Sequence, residues 1–290
     1  MNVIEAKSLT KYYGKTRGIE NLTLSVGQGE FFGFIGPNGA GKSTFIRTIL
    51  GLINATSGEA TVLGEPIGRG STEILGRVGY LPSEVSYYNG MKVKDVISLS
   101  ASLRSSSCDE EAKRLCERLD LDVSKRVSEL SLGNRKKVGI VCALQHCPDL
   151  YILDEPTSGL DPLMQRELYA ILSERVQSGA TVFLSSHVLS EVGRYCNRAA
   201  VIRNGSVIAC DTVEALTSRE AKRVTLRGAS LPDGAEGVET LSTDGDAVSF
   251  LYRGSTEALL RIISEARPTD FTVTDPDMDE IFMHYYGEGK

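Results

Sequence analysis

Gly36-Pro37-Asn38-Gly39-Ala40-Gly41-Lys42-Ser43-Thr44 fills the pattern G-x-x-x-x-G-K-[ST] and stands between two apolar runs, Phe31 to Ile35 and Phe45 to Leu50. The first run reads as a buried strand and the second as part of a helix, so the order is strand, glycine loop, helix. A phosphate cradle requires that order. Gly36, Gly39 and Gly41 let the backbone turn its N–H groups inward, and the helix that follows presents its positive end to the same point. Lys42 is placed to reach β- and γ-phosphates, and Ser43 to ligate a Mg²⁺ that bridges them. Pro37, Asn38, Ala40 and Thr44 complete the loop, and the expected ligand is ATP or GTP.

Composition sets the frame around this loop. The 290 residues are 41% hydrophobic and 24% charged, which suffices for one large domain and one small one. No apolar run approaches the roughly 18 residues of a membrane span, and Met1 to Glu5 lacks the basic and apolar blocks of a signal peptide. A cytosolic location is expected. A net charge of −6 does not describe a general nucleic-acid binder, so no nucleic acid is expected as a partner. The six cysteines are scattered without the framework spacing of a small secreted domain and read as free thiols. Cys142, His146 and Cys147 are a candidate ligand set, but no second ligand pair follows; buried structural cysteine is the preferred reading.

Strand-like segments occur near 3–6, 22–26, 30–35, 59–63, 77–81, 150–154, 181–185 and 198–203, and the pattern between about 93 and 147 is helical. This predicts an α/β nucleotide-binding core interrupted by a helical insert. After about Thr217 the composition shifts. The stretch from Gly228 to Gly245 reads as loop, with strands expected at 222–227, 247–252 and 271–274 and a helix at 255–265. A final helix is expected from Asp275, with Pro276 in its first turn and an apolar stripe of Met278, Ile281, Phe282 and Tyr285.

Leu150 to Asp154 is a continuous apolar run that ends in the acids Asp154 and Glu155, as a buried parallel strand would. Asp154 is placed to hold Mg²⁺, and Glu155 to orient and deprotonate an attacking water. With Pro156-Thr157-Ser158-Gly159-Leu160-Asp161 following directly, the sequence from Ile4 to about Leu216 resembles the ATP-binding subunit of ABC transporters. Leu130-Ser131-Leu132-Gly133-Asn134-Arg135 stands where that family carries its L-S-G-G-Q signature, Ser158 to Asp161 looks like the D-loop, and His187 after Ser185-Ser186 looks like the switch histidine. Tyr13 matches the aromatic that stacks on adenine.

The resemblance implies a P-loop NTPase core of the ABC ATPase type, with an antiparallel β subdomain and a helical insert, plus a small α+β C-terminal domain. The expected boundaries are 1–218 for the ATPase domain, with its helical part at about 84–147, and 219–290 for the accessory domain. It further implies that two such subunits close head to tail around two ATP molecules. Ser131, Gly133 and Asp161 of one copy would then face the nucleotide held by Lys42 of the other. Ser131 also reads as a plain helix N-cap, and both readings hold together.

Three positions depart from the family pattern. Ser83 and Glu84 follow Pro82 where a glutamine is usual, Leu132 replaces a signature glycine that is expected to need positive φ, and Asn134 replaces glutamine. With one cassette and no membrane span, transport requires a separate integral membrane permease, which the helical insert would dock. The segment Pro276 to Tyr286 is similar to the tail of ATPases that serve ABC-2 type exporters, so export is expected and import is the alternative. A soluble ABC ATPase acting on ribosomes or nucleic acid is the competing class; those proteins commonly carry two cassettes or long coiled coils, neither of which is seen here.

Overall fold

A computed structural model describes residues 1–68, 72–88, 90–104, 108–217, 221–232 and 235–274; the helix expected from Asp275 lies outside them. The chain divides into two compact units, Met1–Val213 and Glu214–Lys290.

The first unit opens with a long antiparallel hairpin, β1 (Asn2–Tyr13) and β2 (Thr16–Gly27), turned at Gly14 with φ of 60°. Leu22, Leu24 and Val26 are buried and alternate with exposed Asn21, Thr23 and Ser25, the two-residue period of a sheet with one covered face. These strands run further than their apolar centres suggest, because Lys11, Tyr12, Tyr13, Thr16 and Arg17 extend the ladder with polar side chains. Next come β3 (Phe31–Ile35), α1 (Lys42–Ile49), β4 (Ser57–Val62) and β5 (Glu65–Pro66). Strands β2-β1-β4-β5, in that order, form an antiparallel sheet.

The chain continues through α2 (Thr72–Gly76), β6 (Val78–Leu81), three helices α3 (Val93–Ser102), α4 (Asp109–Arg118) and α5 (Leu132–Leu144), then β7 (Leu150–Asp154), α6 (Pro162–Gln177), β8 (Thr181–Ser186), α7 (Leu189–Tyr195), β9 (Arg198–Arg203) and β10 (Ser206–Thr212). A second sheet takes the order β10-β9-β3-β8-β7-β6. Strands β9, β3, β8, β7 and β6 run parallel, and β10 closes one edge antiparallel to β9. Strands β3, β7 and β8 are buried at every residue, which explains the apolar runs of Phe31 to Ile35, Leu150 to Leu153 and Val182 to Leu184. β10 escapes a reading by pattern because it is a short edge strand with no buried residue, so its sequence shows no alternation between a covered and an exposed face.

Aromatic packing sets α1 on this sheet. Phe45 of α1 lies 5.1 Å from Phe34 and 5.9 Å from Phe183 between ring centroids, and Phe32 stacks on Phe183 at 5.8 Å. All four rings are fully buried.

α8 (Val213–Thr217) leads into the second unit, a sheet of order β12-β13-β11-β14 built from β11 (Ala221–Arg227), β12 (Val238–Asp244), β13 (Ala247–Arg253) and β14 (Asp270–Thr274). α9 (Thr256–Ala266), capped by the Ser255 hydroxyl, lays Leu259, Ile262 and Ile263 on Val224, Leu226 and Phe250. β12 corrects the reading of 228–245 as loop. It carries Glu239, Thr240, Ser242 and Thr243 on an edge, with a register shift between Thr240 and Ser242, so pairing with β13 rather than its own apolar content makes it a strand.

The cysteines are free thiols, and no cluster among the described residues has the makings of a metal site. Cys147 and Cys210 are exposed rather than buried. His146 turns its Nε2 to the Val78 carbonyl at 3.4 Å, and burial, helped by the charge of Arg104, pulls its pKa down to about 4.

Two outcomes follow. Phe45→Ala removes a fully buried ring and is expected to destabilise the protein by about 3–5 kcal/mol in denaturant titration. His146 has a folded pKa below its unfolded value, so the unfolded chain takes up the proton first and stability falls as pH drops from about 6.5 to about 4. His146→Gln should flatten that part of the stability profile; an unchanged slope would remove His146 from it.

Candidate active site

The parallel sheet brings the ends of β3, β8 and β7 side by side, with Ile35 in register with Ser186 and Asp154 with Ser185. The glycine loop, His187 and Glu155 are the residues that follow those three strands, so one edge of the sheet presents all of them. Gly36 meets the Ile202 carbonyl so closely that a Cβ would lie 2.5 Å from it. Gly41 holds φ of 109° as the N-cap of α1, a conformation that L side chains rarely adopt.

Lys42 is 5% exposed. Its Nζ donates to the carbonyls of Gly36 at 2.6 Å and Pro37 at 3.3 Å, and lies 3.1 Å from Glu155 Oε1 as an ion pair, off the direction of a hydrogen bond. The other oxygen of Glu155 lies 2.7 Å from His187 Nδ1. Glu155 itself has φ of 49°, a left-handed conformation costing on the order of 1–3 kcal/mol. Ser185 holds it there, its carbonyl and its hydroxyl each accepting from the Glu155 N–H at 3.2 Å.

The same Ser185 hydroxyl donates to Asp154 Oδ1 at 2.5 Å, while Asp154 Oδ2 is buried with no hydrogen-bond partner. The unpartnered carboxylate oxygen of Asp154, buried behind the cleft rather than lining it, and Ser43, which does line it, are hard-oxygen donors of the kind Mg²⁺ takes.

In front of these groups lies a cleft of about 420 Å³. Tyr13 forms one wall together with Gly18, and its ring edge leaves only 3.1 Å to where a Cβ on Gly18 would stand. Lys11 places its ammonium 5.3 Å from the Tyr13 ring centre. Pro37, Asn38, Gly39, Gly41, Lys42, Ser43 and Thr44 also line the cleft, together with Ser83 and Glu155. Gly36 and Ala40 stand behind the lining, where the Ala40 carbonyl accepts from Gly205.

Ser131, Gly133 and Asp161 do not line the cleft of their own chain. Ser131 caps α5, its hydroxyl accepting from the Asn134 N–H at 3.3 Å, and Asp161 caps α6 by accepting from Leu163 and Met164. Gly133 has a reason within one chain, because a Cβ there would lie 2.5 Å from the Gly159 carbonyl. Leu132 corrects one expectation: it is the first residue of α5, with no positive φ, so a glycine is not needed at that position.

Motif reading passed over four contributors. Arg17 and Thr16 reach the cleft from the hairpin end beyond Tyr13. Ser185 looks like any small residue closing a buried strand, and only the pairing of β7 with β8 gives it Asp154. Glu191 accepts at one oxygen from Thr157 at 3.2 Å and from Ser186 at 3.1 Å, tying the loop after β7 to the end of β8.

Phosphate-binding loop, strand-end acids and a cleft with an aromatic wall together describe a nucleotide site on an α/β scaffold. The family model described as ABC transporter matches residues 19–158. An uncharacterized ABC transporter ATP-binding protein of Synechocystis sp. is 31% identical over 99% of this chain and 85% of its own length. The bacitracin transport ATP-binding protein BcrA of Bacillus licheniformis is 36% identical over 71% of this chain and 68% of its own. A solved ATP-binding subunit of an ABC transporter superposes with a TM-score of 0.70 at 32% identity, covering 74% of this chain and 91% of that one. The chain belongs to the ABC transporter ATP-binding family: it is an ATP-binding ATPase subunit of a transporter.

Ser185→Ala removes the donor to Asp154 and one acceptor of the Glu155 N–H. A loss of about 1–3 kcal/mol in unfolding free energy is expected, and a denaturation midpoint equal to the parent's would contradict it.

Proposed function

We propose that the cleft holds Mg-ATP with its base against Tyr13 and its phosphates in the loop from Gly36 to Thr44, and that Glu155 is the general base of hydrolysis. The observation that carries this reading is the position of Glu155 between Lys42 and His187, one carboxylate oxygen on each. In that place it is 14% exposed beside the Lys42 ammonium, positioned to take a proton from a water that attacks phosphorus. Bound phosphate oxygens give Lys42 a second anionic partner. Its ammonium then divides between ligand and Glu155, and the carboxylate is released toward water. His187 orients the carboxylate and senses the terminal phosphate. Mg²⁺ would be held by Ser43 and Asp154 and would neutralise phosphate charge; the open Oδ2 of Asp154 supports that assignment.

Ser131, Gly133 and Asp161 act in this proposal on the nucleotide of a second copy. Two subunits close head to tail on two ATP molecules, and loss of the terminal phosphate removes the charge that α5 meets through its N-terminus. The moving part that passes substrate is a separate integral membrane permease, with the ATPase on its cytoplasmic face. No helix among the described residues is long and apolar enough to span a bilayer. Export is the direction proposed, on the similarity of the segment Pro276 to Tyr286 to exporter ATPase tails; the relative named for bacitracin transport fits it.

Glu155→Gln is expected to bind ATP, to release phosphate about 10²- to 10⁴-fold more slowly, and to elute as a dimer with Mg-ATP. Full turnover in this variant would remove Glu155 as the base. Affinity purification of the same variant from detergent-solubilised host membranes should bring down a multispanning protein in near-equal amount. Ribosomes or nucleic acid in its place would argue for a soluble ATPase.

A further inference from the structure

Lys136 is a lysine with 2% exposure, buried in the second turn of α5. A buried ammonium needs partners for its hydrogens. Here its Nζ donates to the carbonyls of Pro82 at 3.1 Å and Ser83 at 2.9 Å, the two residues that follow β6. Burial draws its pKa down to about 8, while the negative charges of Asp154 and Glu155 act in the opposite direction. Lys136 is therefore fixed by hydrogen bonds to the loop after β6.

That loop is packed on α5 along its length. At Gly139, one turn beyond Lys136, an added Cβ would lie 2.8 Å from Leu81 Cδ1, 2.8 Å from Val85 Cγ1 and 3.1 Å from the Tyr87 hydroxyl. Ser83, in the middle of this stretch, lines the nucleotide cleft together with Lys42 and Glu155. α5 begins at Ser131, whose hydroxyl caps it. One buried cation thus joins the helix that Ser131 opens to the cleft wall that Ser83 forms.

We propose that Lys136 is a positioning residue of the ATPase, which holds the Pro82-Ser83 backbone to α5 so that Ser83 stands in the cleft beside Glu155. The inference rests on the assignment of that cleft as the ATP site. Ser83 supplies a short hydroxyl that reaches the reacting end of the nucleotide only when its backbone is drawn in. Lys136 fixes that distance and carries any shift of α5 to Ser83.

The test is a double-mutant cycle on purified protein, with phosphate release and equilibrium ATP binding measured for the parent, Lys136→Met, Ser83→Ala and the pair. Lys136→Met is expected to lower kcat about 10- to 100-fold, the cost of a misplaced group near the chemistry, with KM and ATP affinity within about threefold of the parent's. Ser83→Ala should lower kcat comparably, and the double variant should be no slower than the slower single one, because the two act as a unit. Additive losses, parent-like kcat in either single variant, or a fall in ATP affinity that accounts for the loss would each overturn the proposal. Ser83→Ala alters only a half-buried hydroxyl and keeps the test valid if Lys136→Met does not fold. Lys42→Ala is run beside them: undiminished ATP binding there would overturn the site assignment itself, separately from the role of Lys136.

Discussion

A buried lysine with one anionic partner organises the site. Lys42 cannot stay charged at 5% exposure unless its ammonium is paired and hydrogen-bonded. The loop supplies two carbonyls and β7 supplies Glu155. The pairing links two stretches separated by more than a hundred residues of sequence and draws the base into the same cleft as the phosphate loop. Removing either member leaves the other uncompensated, which couples stability and chemistry at one point.

The parallel sheet makes that pairing possible. Strands β3, β8 and β7 are adjacent and in register, and each delivers its group at its C-terminal end, where open α/β sheets present their ligand sites. The strand order differs from the chain order, so residues as distant as Gly36, Glu155 and His187 become neighbours. The stacked phenylalanines under α1 fix the height of the loop above this edge. Glu155 is held left-handed by Ser185, which also takes Asp154, so one serine sets both acids.

Around this centre the helical insert is joined by tight backbone contacts. Gly133 lies under the Gly159 carbonyl, Gly139 under the loop after β6, and Lys136 on the carbonyls of Pro82 and Ser83. α5 therefore has a defined seat relative to the segment after β7 and the segment after β6 at once.

Much of the site was legible because its chemistry is local. The glycine loop, the acids after Leu153 and the cap at Ser131 depend on residue type and spacing over a few positions, and the buried strands announce themselves by unbroken apolar runs. The limits are equally local in origin. β10 and β12 are edge strands without an alternating apolar pattern, whose pairing is decided by a partner and not by their own sequence. The orphaned oxygen of Asp154, the doubled role of Ser185 and the partners of Lys136 depend on which segments the fold brings within hydrogen-bond distance. A sequence specifies which groups are able to donate, accept or carry charge. Only the packed chain decides which of them are denied water and must find one another; that desolvation pairs Lys42 with Glu155, and the exposed His187 joins them through the second carboxylate oxygen.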